Sequence, residues 1–288
     1  MNRRWRVDNL NPPNPPSSLP CPNCGRLVSK TAERCIHCGL LRPGRFADVP
    51  ILGDLLRGRL SFVDSLVITC FVLYALALVL DPGSAMNFSR GLFNLLSPSG
   101  EALYKLGMGG LFPLLQGRSW TLVTAVYLHG GILHIGFNML WLRQIGPWVE
   151  DLFGPSRFVI IYTVAGIVGV ALSAAAGTPF TVGASGAIFG LFGALVYYGR
   201  ARGGTFGSTV FRQVAFYAVI GFVFGMLMPN VDNWGHLGGF IGGWLAAWLL
   251  GFEERQSQRL WHHLGALVTL GLIALSFVLT FITFFIQS

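Results

Sequence analysis

From residue 62 onward the chain is a series of long apolar runs, with polar residues gathered in the short breaks between them. A helix needs about 20 apolar residues to cross about 30 Å of hydrocarbon. The runs therefore predict spans near residues 62–80, 120–142, 158–176, 185–198, 210–228, 234–250 and 263–286, six helices plus one. The fourth is short, and Gly183, Gly186, Gly190 and Gly193 keep it lean. Inside a bundle such glycines permit close backbone approach at a tight helix crossing.

Composition agrees with that pattern. Hydrophobic residues make up 53% of the 288 and charged residues 11%, where a soluble domain carries about 25% charged residues. So little charge cannot cover a soluble surface, and the expected fold class is an all-α polytopic membrane protein. The chain divides into a proline-rich lead over 1–19, a cysteine-bearing head over 20–41, a linker over 42–60, a six-helix core over 61–252, and a link with the seventh helix over 253–288. The first twenty residues hold basic side chains but no apolar core, so no secretory signal is expected and the first helix is retained. Arginines and lysines crowd ahead of that helix and recur in alternate loops (Arg143 and Arg157; Arg200, Arg202 and Arg212; Arg255 and Arg259). This bias predicts a cytoplasmic N-terminus. The net charge of +8 is thus a topology signal, and nucleic acid is not an expected partner.

The head carries Cys21-Pro-Asn-Cys24-Gly25 and, ten residues on, Cys35-Ile-His-Cys38-Gly39. Two residues between thiols let each pair wrap one side of a tetrahedral ion, and the following glycine removes bulk where the backbone turns under the sulfur. Cys21, Cys24, Cys35 and Cys38 are therefore expected to hold one zinc, with His37 outside the ligand set. The arrangement looks like a zinc ribbon. A closed four-thiolate site has no position for substrate, so the zinc is structural, and the zinc-ribbon resemblance implies a docking or regulatory module with a protein partner. A disulfide pair competes poorly on a reducing side of the membrane. Cys70, alone in the first apolar run, reads as a small core residue.

Polar residues inside spans are functional candidates by default, because burying them without a partner is costly. His134 and Asn138 are four apart and share a helix face, while His129, five residues before His134, points elsewhere and reads as support. Ser185 stands between Gly183 and Gly186 at a helix start, where free N–H groups and positive potential face any developing negative charge. His236 lies among Gly235, Gly238, Gly239, Gly242 and Gly243 at the start of the sixth run. With alternating spans, the outer ends of the second, fourth and sixth coincide, and His134, Asn138, Ser185 and His236 fall in one layer. A mutually hydrogen-bonded bundle would also use such residues. Metal chemistry fits less well, since no His-Glu-x-x-His is present, and the acids Asp64, Asp81, Glu150, Asp151 and Asp232 stand at span edges.

Over residues 60–252 the sequence resembles the rhomboid intramembrane serine proteases. The resemblance rests on His129-x4-His134-x3-Asn138, on Gly183-Ala-Ser185-Gly186, and on Gly235-His236 with the Gly239-x3-Gly243 spacing. It implies Ser185 as nucleophile, His236 as general base, and His134, Asn138 and the Ser185 N–H as the oxyanion hole, with no catalytic cofactor. It also implies transmembrane protein substrates, contact with membrane lipid, a prokaryotic plasma membrane, and a site opening to the outer side. Two positions depart from the family pattern. Phe189 stands where a tyrosine often stacks on the dyad histidine, and Trp120-Thr121 replaces a Trp-Arg pair in the long first outer loop, with Arg118 nearby but out of register. The competing functions are a catalytically silent relative that binds transmembrane helices for quality control or trafficking, and a small-solute permease.

Overall fold

The computed structural model describes residues 18–20, 26–29, 31–37, 61–85, 96–228, 231–252 and 260–287. The chain forms two units, residues 1–60 and 61–288. In the first, β1 (Ser18–Pro20) pairs antiparallel with β2 (Leu27–Ser29), Leu19 opposite Val28. Buried Val28 and Cys35 pack together with Ala32. Cys21, Cys24 and Cys38, residues 1–17 of the proline-rich lead and the linker lie outside the described residues, while Ser18 and Leu19 at the end of the lead belong to β1.

The second unit is helical among the described residues. It begins with α1 (Phe62–Leu80), whose Ser61 cap accepts from the Asp64 N–H at 3.0 Å. Four short pieces follow: α2 (Pro82–Ala85), α3 (Gly100–Lys105), α4 (Leu111–Leu115) and α5 (Thr121–Thr124). The long helices are α6 (Ile132–Phe153), α7 (Pro155–Ala175), α8 (Ser185–Arg202), α9 (Gly204–Leu227), α10 (Asn233–Leu250) and α11 (Leu260–Gln287). This is an all-α polytopic membrane protein. Helices α1, α7, α9 and α11 are long and apolar enough to cross a bilayer, with a fifth crossing if the bent pair ahead of and including α6 is one span. Helices α8 and α10 fall short of that measure because their 18 residues include Arg200 and Arg202 in α8, and Asn233 and His236 in α10. Helix α8 is an interior element, while α10 buries its glycine face and turns Trp234, Ile241, Trp248 and Leu249 outward. Helix α10 packs most extensively against α8 and α7, whereas α9 and α11 turn side chains such as Phe216, Val219, Leu267 and Val268 outward, as lipid contact requires.

The predicted continuous helix over 120–142 is not formed. Helix α5 tightens into a 3-10 turn at Ala125–Tyr127, and α6 then leaves at 91°. The break falls at Gly130-Gly131, where Gly131 is fully extended (φ 173°). The crossing segment is displaced toward the C-terminus and ends at Phe153. Between α6 and α7 the reversal is a single residue, Gly154, whose φ of 84° favours glycine. Pro155 then opens α7 at a position where a missing N–H costs nothing.

The segment 96–119 packs on the bundle through Leu103 and Met108, which meet Ala77 and Leu128. Arg118 enters this lobe with only 4% exposure, donates from Nη2 to the Tyr104 carbonyl at 3.0 Å, and lies 4.2 Å from the Tyr104 ring centre. The side lobe therefore has a buried arginine after all, from position 118. Thr121 is wholly buried, its hydroxyl donating to the Arg118 carbonyl at 2.7 Å.

Candidate active site

Ser185 is the first residue of α8, and the first helical backbone bond runs from the Ile188 N–H to the Ala184 carbonyl at 2.9 Å. The amides of Ser185, Gly186 and Ala187 thus have no partner within the helix, and they point along the side from which the loop arrives. That loop is held from several directions. Gly109 and Thr181 exchange backbone bonds of 3.1 and 2.8 Å, Leu111 N–H donates to the Thr178 carbonyl at 2.9 Å, and Gly183 N–H donates to Ala125 at 2.9 Å.

Gly183 shows why this loop ends as it does. Its φ of 133° is strained for any side chain, and a Cβ there would stand 2.7 Å from His134 Nε2 and 3.8 Å from Ser185 Oγ. The space above Gly183 is therefore bounded by one imidazole nitrogen and one hydroxyl. His134 Nδ1 accepts from the Gly130 N–H at 3.3 Å, which assigns the proton to Nε2 and makes that nitrogen a donor toward this space. Asn138, 6% exposed, donates its Nδ2 to the His134 carbonyl at 2.8 Å and so stands on the same face. Counting helix positions from His129 to His134 fails across the break at Gly130. His129 is wholly buried with its ring edge-on to His134, centres 5.2 Å apart.

His236 occupies the first turn of α10 and is stacked flat on Phe189, ring centres 4.2 Å apart and planes 11° off parallel. Phe189 follows Ser185 by four residues on α8, so the nucleophile candidate and the imidazole are neighbours across one helix contact. Glycine makes that contact possible. A Cβ on Gly186 would lie 3.1 Å from the Gly235 carbonyl oxygen, and one on Gly239 would lie 1.9 Å from the Gly186 oxygen. Among the described residues no hydrogen bond joins Ser185 to His236, and His236 Nδ1 is buried without a partner. Catalytic hydrogen bonds are often loose before substrate arrives. A cavity of about 20 Å³, lined by Thr181, Gly183, Ser185, Gly186, Asp232 and Gly235 among others, has room for about one water.

The four expected residues thus converge from the starts of α6, α8 and α10. The element that sequence reasoning passed over is Asp232, read there as an acid at a span edge. It caps α10, and its carboxylate also accepts from Ser173 and Thr181. An Asp at a helix start, four residues before His236, was the available signal.

A second serine–histidine pair is hydrogen-bonded, Ser156 Oγ to His263 Nδ1 at 2.9 Å. Beside it Arg157, 2% exposed, donates from Nε to His262 Nε2 at 3.0 Å. Ser156 and Ser173, the latter tied to Asp232 beside the cavity, are 17 residues apart on α7, roughly 25 Å at 1.5 Å per residue. This pair ties α7 to α11 at the far end of the bundle. Of the two histidines, His262 is only 1% exposed and packs inside the bundle, while His263 is exposed. Among the described residues no cluster of three or more His, Cys, Asp or Glu could hold a metal.

Residues 116–253 match the rhomboid domain. The chain is 40% identical over 158 residues to rhomboid protease GluP of Bacillus subtilis, covering 55% of this chain and 31% of that protein. It is 35% identical over 168 residues to the mitochondrial RHOMBOID-like protein 6 of Arabidopsis thaliana, covering 55% of each. It is also 32% identical over 178 residues to the inactive RHOMBOID-like protein 8 of the same plant, covering 60% of this chain and 50% of that protein. The chain spans about a third of the first of these and about half of the other two.

Proposed function

We propose that this chain, a member of the rhomboid family through its domain at residues 116–253, is an intramembrane serine endopeptidase that cuts transmembrane segments of membrane proteins with a Ser185–His236 dyad. The observation that carries the reading is the space over Gly183, bounded by Ser185 Oγ and His134 Nε2, with His236 held on Phe189 beside it. In the first step His236 Nε2 takes the hydroxyl proton as Oγ attacks a peptide carbonyl. The oxyanion forms against His134 Nε2–H, the Ser185 N–H and an Asn138 Nδ2–H. His236 returns the proton to the leaving amine. Water then attacks the acyl ester, passing its own proton through His236 to Ser185 and releasing the new carboxyl group.

The outer side of a prokaryotic membrane is the side proposed for this site. The clustering of basic residues before residue 60 and the convergence of the starts of α6, α8 and α10 support a cytoplasmic N-terminus, six core crossings and a seventh in α11. Substrate is then a transmembrane helix entering from lipid.

The test is cleavage of a single-span reporter in proteoliposomes, read by product mass. Wild type cuts, and His134→Ala cuts about 10²- to 10³-fold more slowly, the cost of one oxyanion donor. Reporter that binds wild type but stays intact would favour the silent, helix-binding reading, to which the inactive plant relative lends its name. Reporter-independent solute uptake would favour a permease.

The head is proposed to hold one structural zinc through Cys21, Cys24, Cys35 and Cys38, and to dock a protein partner. Its donor set suits zinc, and Cys35 is buried beside β2. Metal analysis of purified protein is expected to give one zinc per chain. Cys35→Ser combined with Cys38→Ser should abolish it while leaving serine-probe labelling unchanged, and a metal-free wild type would refute the assignment.

A further inference from the structure

Asp232 joins three segments: the start of α10, the loop before α8 and the end of α7. Its Oδ1 accepts from the Gly235 N–H at 2.8 Å, closing the first turn of α10. Its Oδ2 accepts from Thr181 Oγ1 at 2.6 Å and also from Ser173 Oγ. Its backbone carbonyl accepts from the His236 N–H at 3.0 Å. Thr181 lies four residues before Ser185 on the loop that delivers it, Ser173 lies in the last turn of α7, and His236 follows Asp232 by one helical turn. One carboxylate thus holds the helix of the candidate base, the loop of the candidate nucleophile and the helix packed against both.

We propose that Asp232 is a positioning residue that sets where His236 stands relative to Ser185. The imidazole needs such a device. Among the described residues its Nδ1 has no partner, so no bond at that nitrogen does the orienting that the buried aspartate does in a soluble triad. Ring stacking on Phe189 fixes the tilt of the imidazole plane, and stacking tolerates sliding. The cap removes that freedom by fixing the turn of backbone that carries the ring. Acting as a pure acceptor, an ionised carboxylate satisfies all three side-chain contacts at once. An asparagine in its place keeps one acceptor oxygen and presents an NH₂ group to one of the three donors.

This inference rests on the protease reading, and its test separates the two. In the reporter assay Asp232→Ala is expected to lower kcat about 10²-fold, the scale of an approximately 1 Å misplacement, with KM within about threefold. Asp232→Asn falls between it and wild type. Ser173→Ala with Thr181→Val, which removes the two hydroxyl donors, should add little to Asp232→Ala, because groups acting as one network are not additive. A kcat within about threefold of wild type, a loss appearing in KM alone, or full additivity would overturn the proposal. The second readout is dipolar EPR between spin labels at the exposed positions Pro179 and Trp234, on the loop and on α10. Wild type gives one narrow distance, and Asp232→Ala broadens it. An unchanged distribution overturns the clamp whether or not the chain hydrolyses anything. Wild type that neither cuts reporter nor reacts with a serine probe overturns the protease reading alone, and the clamp is then decided by the EPR comparison.

Discussion

Ser185→Ala is expected to remove hydrolysis of a transmembrane reporter by about 10⁴-fold or more, to abolish labelling by a fluorophosphonate, and to leave the thermal midpoint within a few degrees of wild type. The activity loss is large because the nucleophile has no substitute, and in soluble serine proteases removing one dyad member costs nearly as much as removing both. His236→Ala should match it, and the double variant should be no worse than either. The stability expectation follows from position. Ser185 opens α8 and its hydroxyl makes no hydrogen bond among the described residues, so alanine leaves no buried donor orphaned. Ser156→Ala is the informative companion. Its hydroxyl does bond a histidine, at the far end of α7, and the variant should keep its labelling while loosening the seam with α11. Labelling lost in Ser156→Ala and kept in Ser185→Ala would reverse the assignment of the site.

How much of this was legible in the sequence depends on the range of the interaction involved. Span periodicity is a local property, and α1 begins and ends where the apolar run does. The convergence of His134, Asn138, Ser185 and His236 was also legible, because alternating crossings put the starts of alternate helices on one side. What escaped was governed by backbone geometry or by contacts between distant segments. The helix expected over 120–142 ignored Gly130-Gly131, where leaving the helix lets the Gly130 N–H donate forward to His134 Nδ1. Thr121 looked like a lost arginine in one register, whereas Arg118 reaches the lobe interior from three residues earlier. Asp232 looked peripheral because a helix start is an edge in sequence. In space that edge meets the end of α7 and the loop before α8, and the acid becomes a hub.

Gly239→Ala, the addition of one methyl group, is expected to slow reporter cleavage about 10²-fold or more and to lower the thermal midpoint. Its Cβ would fall 1.9 Å from the carbonyl oxygen of Gly186 and 2.9 Å from the Gly186 Cα. Backbone cannot rotate aside as a flexible side chain can, so α8 and α10 must separate by roughly 1 Å, and strain on this scale costs about 1–3 kcal/mol in a packed core. Gly239 is three residues past His236 and Gly186 is one past Ser185. The separation therefore opens where the two reactive groups face each other, and a displacement of about that size is enough for a 10²-fold loss. Gly243→Ala makes a similar clash, 2.1 Å from the Gly190 oxygen, one turn farther from the site. It should destabilise comparably and slow cleavage less. Gly271→Ala meets nothing within 4 Å and should leave cleavage at the wild-type rate. If Gly239→Ala and Gly243→Ala lose cleavage equally for equal losses in stability, the glycine contact supports folding alone. A steeper loss at Gly239 would mean that the same close approach sets the spacing of the dyad.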